Sequence, residues 1–200
     1  MNNEEQTKRP SELNEDELPD GRAFEDEFTR GFLESTEETR PGYYPFLSGT
    51  GKYEMDFPLN GRVGERGYAL KDKDYEGVFV GIDNGELKSA LSLNYYSTDR
   101  RGREDLKLDM INDRISQELE YDKFTSEYST LYLSYFETEM YYGYAGFLQN
   151  EVENGGIEII YQTECNASKE KCEAKKAESI DVMREQIESI QFTLESNESE

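Results

Sequence analysis

The chain has no histidine and no tryptophan, only two cysteines and five prolines, and 22 basic residues against 45 acidic ones. Each shortage closes off some chemistry. Without histidine there is no imidazole to serve as a base at neutral pH, so Ser-His and Cys-His nucleophile pairs are excluded. Cys165 and Cys172 alone do not make a tetrahedral zinc centre, and their C-x6-C spacing is not the C-x-x-C of thiol redox proteins. With a net charge of −23, the chain lacks the clustered cations that phosphate backbones and anionic lipids require, and no nucleic-acid partner is expected. No apolar run approaches the roughly 20 residues that cross a bilayer. No glycine-rich loop is placed to cradle phosphate. The first residues, Met1-Asn2-Asn3-Glu4-Glu5, carry neither the basic region nor the apolar core of a signal peptide. The chain is therefore expected to be either cytosolic or the remainder of a longer precursor.

What is present reads as one domain. Two hundred residues suffice for a single core, and nothing in the composition divides them. Residues 1–20, rich in Asn, Glu, Ser and Asp and broken by Pro10 and Pro19, are expected to be a disordered tether. Residues 21–194 form the domain and 195–200 an acidic tail. Phe24, Phe28 and Phe32 recur at helical spacing, which predicts an N-terminal helix ending near Ser35. Tyr43 to Ser48, the turn Gly49-Thr50-Gly51 and the alternating strand Tyr53 to Phe57, stopped by Pro58, predict a hairpin. Arg66 to Leu70, Tyr75 to Ile82 and Ala90 to Tyr96 extend it into a meander over 43–97. Leu108, Ile111, Ile115 and Leu119 predict a middle helix over 105–120. Three further strands follow over 128–164, with Asn154-Gly155 as a turn signal. The last and longest helix is expected over 169–193, on the stripe Ala177, Ile180, Met183, Ile187, Ile190, Leu194. The fold class is thus α+β: a curved antiparallel sheet of about six to seven strands covered by an N-terminal, a middle and a long C-terminal helix.

Two sets of residues are candidates for a site. Asp72-Lys73-Asp74-Tyr75-Glu76-Gly77, with Asp83 in the twelfth place, matches the oxygen spacing of a calcium loop. Asp72, Asp74, Glu76 and Asp83 would be the ligands and calcium the one cofactor in question. Asp83 is shorter than the usual bidentate Glu, and Val78, Val80 and Ile82 alternate as a strand face does, so an acidic hairpin turn is the favoured reading. The second set is Cys165 and Cys172, which lie in a polar loop. A disulfide between them is favoured over two free thiols and points to an oxidising exterior. Arg100-Arg101-Gly102-Arg103, the basic run, reads as a solvated loop before a partner contact. Tyr132, Tyr135, Tyr141, Tyr142 and Tyr144 read as sheet residues before interface anchors.

The strand Tyr53-Glu54-Met55-Asp56-Phe57-Pro58, the helix before it, and the closing run Ile187-Glu188-Ser189-Ile190-Gln191-Phe192 resemble the Mog1/PsbP-like fold. In that family an aromatic strand ending in Phe-Pro or Tyr-Pro starts the sheet, and a late helix closes on Ser-Ile/Leu-Phe. Element order agrees over about residues 23–193. The chain departs from the family where Asn60-Gly61 stands in place of the Trp that follows the proline. With the polar leader and the cysteine pair, the resemblance implies the ectodomain of a bacterial, Gram-positive surface lipoprotein. It would sit at the extracellular face of the membrane through a lipid anchor outside this sequence. The expected function is non-enzymatic binding or structure, as a monomer, with an unidentified protein or envelope partner. A calcium-dependent or carboxylate-based hydrolase and an acidic cytosolic interaction protein are the alternatives.

Overall fold

The structure, a computed structural model, describes residues 8–165 and 168–193. Two short helices open the domain, α1 (Arg22–Glu25) and α2 (Glu27–Arg30). The hairpin β1 (Tyr43–Leu47) and β2 (Tyr53–Pro58) follows, then β3 (Gly61–Val63), β4 (Ala69–Lys71), β5 (Tyr75–Asn84) and β6 (Leu87–Tyr96). Helix α3 (Glu104–Ile115) separates these from β7 (Asp122–Thr125), β8 (Ser129–Glu137), β9 (Tyr142–Asn150) and β10 (Gly156–Cys165). The chain closes with α4 (Lys169–Glu188) and β11 (Gln191–Phe192). The α+β class is as expected, but the strands divide between two sheets. β1-β2-β11 form a small sheet, and β3-β5-β6-β10-β9-β8-β7, with β4 also paired to β5, form a large one.

The separation of the hairpin from the large sheet corrects the expected meander. Along β2, Tyr53, Met55 and Phe57 are buried while Glu54 is exposed, so this strand has one apolar face. It lays that face on the apolar face of the large sheet, since two one-sided sheets bury more by packing face to face than by joining edges. Phe46 and Phe57 stack at 5.6 Å, Phe46 and Phe32 at 5.4 Å, and Tyr53 tilts against Tyr95 at 6.1 Å. Val78, Val80, Leu91, Leu93, Ile157 and Ile159 meet this layer from the large sheet, and Met183 and Ile187 meet it from α4. A second, smaller core lies on the other face, where Ile111 of α3 packs over Phe136, Ala145 and Phe147.

Three boundaries differ from the sequence reading for local reasons. The expected Phe24–Phe32 helix is broken at Asp26, whose backbone is extended and whose carboxylate caps α2 by accepting from the Thr29 amide at 2.9 Å. Thr29, buried, then accepts from the Val63 amide at 3.0 Å, which ties the cap to β3. The last helix stops at Glu188 because Phe192 buries itself in β11 opposite Tyr53. The leader is packed from Pro10 onward: Pro10 is buried, Leu18 touches the main core and Arg9 pairs with Glu34 at 2.6 Å. Residues 1–7 and the acidic tail at 195–200 lie outside the described residues.

Candidate functional site: the cleft beside the C-terminal helix

A cleft of about 530 Å³ opens where α4 passes the end of β5 and β6 and the β2–β3 link. Its wall is mostly apolar: Ile82 and Leu87 come from the β5–β6 hairpin, Leu59 from the link, and Val182 and Met183 from α4. Leu59 is fixed there because its amide donates to the Gly42 carbonyl at 2.9 Å and its carbonyl accepts from the Ala23 amide at 3.0 Å. α4 is held over the sheet by the buried Tyr161 hydroxyl, which donates to Gln186 Oε1 at 2.9 Å. Burial pushes the Tyr161 phenol far above its ordinary range, so it stays a neutral donor. Lys175 stands at the rim, where it and Lys171 reach Glu86 at 2.6 and 3.1 Å.

The two serines that line this cleft are engaged with side chains behind its wall. Ser89 Oγ lies 2.7 Å from Thr163 Oγ1, and Ser179 Oγ lies 2.7 Å from the Tyr142 hydroxyl and donates to the Lys176 carbonyl at 2.9 Å. Neither serine bonds a carboxylate or an amine among the described residues, so neither is set up as an activated nucleophile. Asn60 is turned to the β5–β6 end, donating to the Asp83 carbonyl at 3.1 Å and to Asn84 Oδ1. The cleft is therefore a preformed, mainly apolar surface that also carries Asn60, Asn84, Lys175 and Glu178, a mixed construction found in ligand pockets.

The four candidate calcium ligands are not brought together. Asp72 and Asp74 are exposed in the turn before β5, and Asp74 accepts from Ser97 Oγ at 2.9 Å. Glu76 points inward, fully buried, and receives the Gly49 amide at 2.8 Å. Asp83 lies at the far end of the same strand, on the order of 20 Å from Glu76 at strand rise, and accepts from the Gly85 amide at 2.9 Å. A calcium loop needs the chain to fold back on itself, whereas residues 75–84 are pulled straight by their ladder with β6. Among the described residues no group of three or more acidic or sulfur side chains is disposed to hold a metal ion. Cys172 lies in the first turn of α4 and Cys165 ends β10; the Cys165 side chain lies outside the described part. Of the arginine run, Arg103 precedes the first turn of α3 and the rest are exposed.

Sequence reading missed the charge cluster under α3. Glu158, only 1% exposed, accepts from Arg114 at 3.0 Å and Lys107 at 3.4 Å, and Lys107 also pairs with Asp99 at 2.9 Å. Burial pushes the Asp99 carboxyl up, against the pull of Lys107, and the negative Glu158 adds to the push. Burial acts against the Lys107 charge, yet its bonds to Asp99 and Glu158 hold its ammonium above the usual lysine range. These residues latch α3 to the sheet. The signal was in the sequence only as Lys107 and Arg114 at i and i+7, one face of a helix otherwise read for its apolar stripe.

Among the described residues no helix is long and apolar enough to cross a membrane. A large antiparallel sheet carries a small sheet and a long C-terminal helix on one face. The chain belongs to the YvcA_Mog1p family, described as "Putative lipoprotein YvcA", which it matches over residues 19–191. It is 24% identical over 211 residues to the protein of that name from Bacillus subtilis, covering 98% of this chain and 87% of the relative.

Proposed function

We propose that this chain is the ectodomain of a lipid-anchored protein at the extracellular face of a Gram-positive membrane, and that it binds an apolar ligand without catalysis. The observation that carries the reading is the cleft beside α4, whose walls are mainly apolar and whose serine hydroxyls are already bonded to Thr163 and Tyr142. A surface of that kind stabilises a ligand through burial, at about 25 cal/mol per Å² of apolar area. The relative's name supports the lipid anchor. On this reading the partner is an apolar group presented by a protein or lipid of the envelope. A Cys165–Cys172 disulfide belongs to the same setting.

The test is Nile red, a neutral apolar dye, titrated into the protein and into Val182→Trp, which would fill the cleft from the exposed side of α4. Saturable fluorescence that Val182→Trp abolishes without lowering Tm supports binding in this cleft. Dye uptake that is absent, or equal in the variant, overturns it. Protease added to intact cells tests the location: digestion of the protein supports the extracellular face, and protection until lysis overturns it.

A further inference from the structure

The outer face of the large sheet is only half covered. α3 lies over β8, β9 and β10, while the half formed by β3, β5 and β6 is open, with Phe79 standing 45% exposed. Beside it, Gly81 faces Arg62 directly across the β3–β5 ladder. A Cβ placed on Gly81 would meet no atom within 4 Å, so the strand there is bare floor with open space above it.

Three arginines reach this floor from three elements. Arg22 opens α1, Arg62 is the middle residue of β3, and Arg66 lies in the single turn Glu65–Gly67. Together with Phe79 and Gly81 they line a cleft of about 370 Å³, shared with the carboxylates of Asp26 and Glu65. Three arginines against Asp26, Glu65 and the nearby Asp83 leave the cleft close to balanced in a chain of net charge −23. Asp26 is also committed elsewhere, accepting from the Thr29 amide and hydroxyl at 2.9 and 2.6 Å as well as pairing with Arg62 at 2.6 Å. Arg22 is only loosely engaged, 3.4 Å from the Asn60 carbonyl and 3.8 Å from Asp83. Arg66 makes no hydrogen bond or ion pair with any described residue.

We propose that this cleft binds an oxyanion carried on an aromatic or apolar group. The planar forks of Arg62 and Arg66 suit phosphate or carboxylate oxygens, the exposed Phe79 ring offers the apolar half a surface, and Gly81 lets the ligand approach the backbone. The site is separate from the cleft beside α4, because Phe79 and Gly81 are on the opposite face of β5 from Ile82. The two proposals can therefore fail independently.

Isothermal titration with phenyl phosphate, inorganic phosphate and linear polyphosphate tests the site. Phenyl phosphate is expected to bind in the millimolar range or tighter and more tightly than inorganic phosphate. Arg66→Glu is expected to weaken it about tenfold or more, as loss of a charged hydrogen bond would. Gly81→Leu, which fills the cleft at unchanged charge, is expected to do the same. Neither variant should lower Tm, since Arg66 has no partner among the described residues and Gly81 has free space. No binding of phenyl phosphate by the unaltered protein, equal affinity for inorganic phosphate, or affinity unchanged in both variants would overturn the proposal. Polyphosphate binding tighter than that of phenyl phosphate would overturn it too, because polyphosphate carries no apolar group to meet Phe79. Weaker polyphosphate binding, beside the expected phenyl phosphate result, supports it.

Discussion

The carboxylate of Glu76 on β5 is held by Thr50 in the β1–β2 turn, which donates its amide at 3.2 Å and its hydroxyl at 3.1 Å to the same oxygen. The other oxygen takes the Gly49 amide at 2.8 Å and the Tyr68 hydroxyl at 3.1 Å. This buried anion has no cation beside it among these partners; four dipoles from the turn and from Tyr68 satisfy it. The contact joins the tip of the small sheet to the large one. Glu76→Gln puts an amide N–H where only acceptors fit and removes the charge that strengthens the bonds. It is expected to cost about 2–3 kcal/mol in urea unfolding. A loss under about 0.5 kcal/mol would show that the turn does not depend on the carboxylate.

Tyr53 behaves in the opposite way. Its ring is fully buried, and its hydroxyl has no hydrogen-bond partner among the described residues. Burial and the nearby Glu76 charge push its phenol well above the ordinary range, so ionisation gives it no way out. Removing an unpartnered buried hydroxyl removes a desolvation cost, and Tyr53→Phe is expected to be neutral or to stabilise by up to about 1 kcal/mol. Thermal and urea unfolding would measure it; a loss above about 1 kcal/mol would mean that the hydroxyl is bonded in solution.

Asp26 and Asp99 should give stability opposite dependences on pH. At Asp26 burial favours the neutral form, but bonds from Thr29 and Arg62 prevail and hold the carboxyl below the usual aspartate value. Its contribution is therefore present above the unfolded pKa and lost as pH falls through the lower folded value. Asp26→Ala, which also removes the α2 cap, is expected to cost about 1 kcal/mol at pH 7 and less in acid. At Asp99 burial raises the folded pKa, so the folded protein takes up the proton more readily. Stability from this group falls as pH rises from the unfolded pKa through the folded one. Asp99→Asn should thus compare better with the unaltered protein at pH 7 than at pH 4, by urea midpoints at both. Parallel trends for the two variants would sink the assignment.

The parts legible in the sequence were those written in local period. The alternation of Tyr53, Met55 and Phe57 placed β2, and the Asn154-Gly155 signal placed the β9–β10 turn. The parts that were not legible depend on partners far along the chain. Phe192 reads as part of the last helix, expected over 169–193, and only Tyr53 opposite it makes it a strand. Glu76 falls in a calcium spacing, and only the Gly49-Thr50 turn, 26 residues before it at Thr50, explains its burial. Asp99, Lys107, Arg114 and Glu158 come from three separate segments, and charges are too abundant here for any four to stand out. The apolar cleft beside α4 and the arginine cleft are both gaps between elements, which no period records.

The proposed disulfide makes a countable prediction. If Cys165 and Cys172 are joined, the denatured protein as purified should react with no thiol reagent until it is reduced. The bridge would tie the end of β10 to the start of α4, and on the loop-entropy account Cys172→Ser is expected to cost about 2–3 kcal/mol. Two reactive thiols in protein recovered from its native compartment would refute the bridge and weaken the extracellular reading with it.

Phe57 tests how much the packing of the two sheets is worth. Its ring is fully buried and stacks on Phe46, which stacks in turn on Phe32 from the N-terminal segment. On its other side it reaches Gly61, where a Cβ would come within 3.0 Å of the Phe57 ring. The ring therefore fills the corner where the chain crosses from the small sheet to the large one. Phe57→Ala leaves a cavity that stacked neighbours cannot close without breaking their own contacts, and it is expected to cost about 3–5 kcal/mol. Phe57→Leu, which keeps most of the volume, should cost less than about 1.5 kcal/mol. Urea unfolding of the two variants separates volume from ring chemistry. A loss below about 1 kcal/mol for Phe57→Ala would mean that the small sheet is not seated on the large one through this strand.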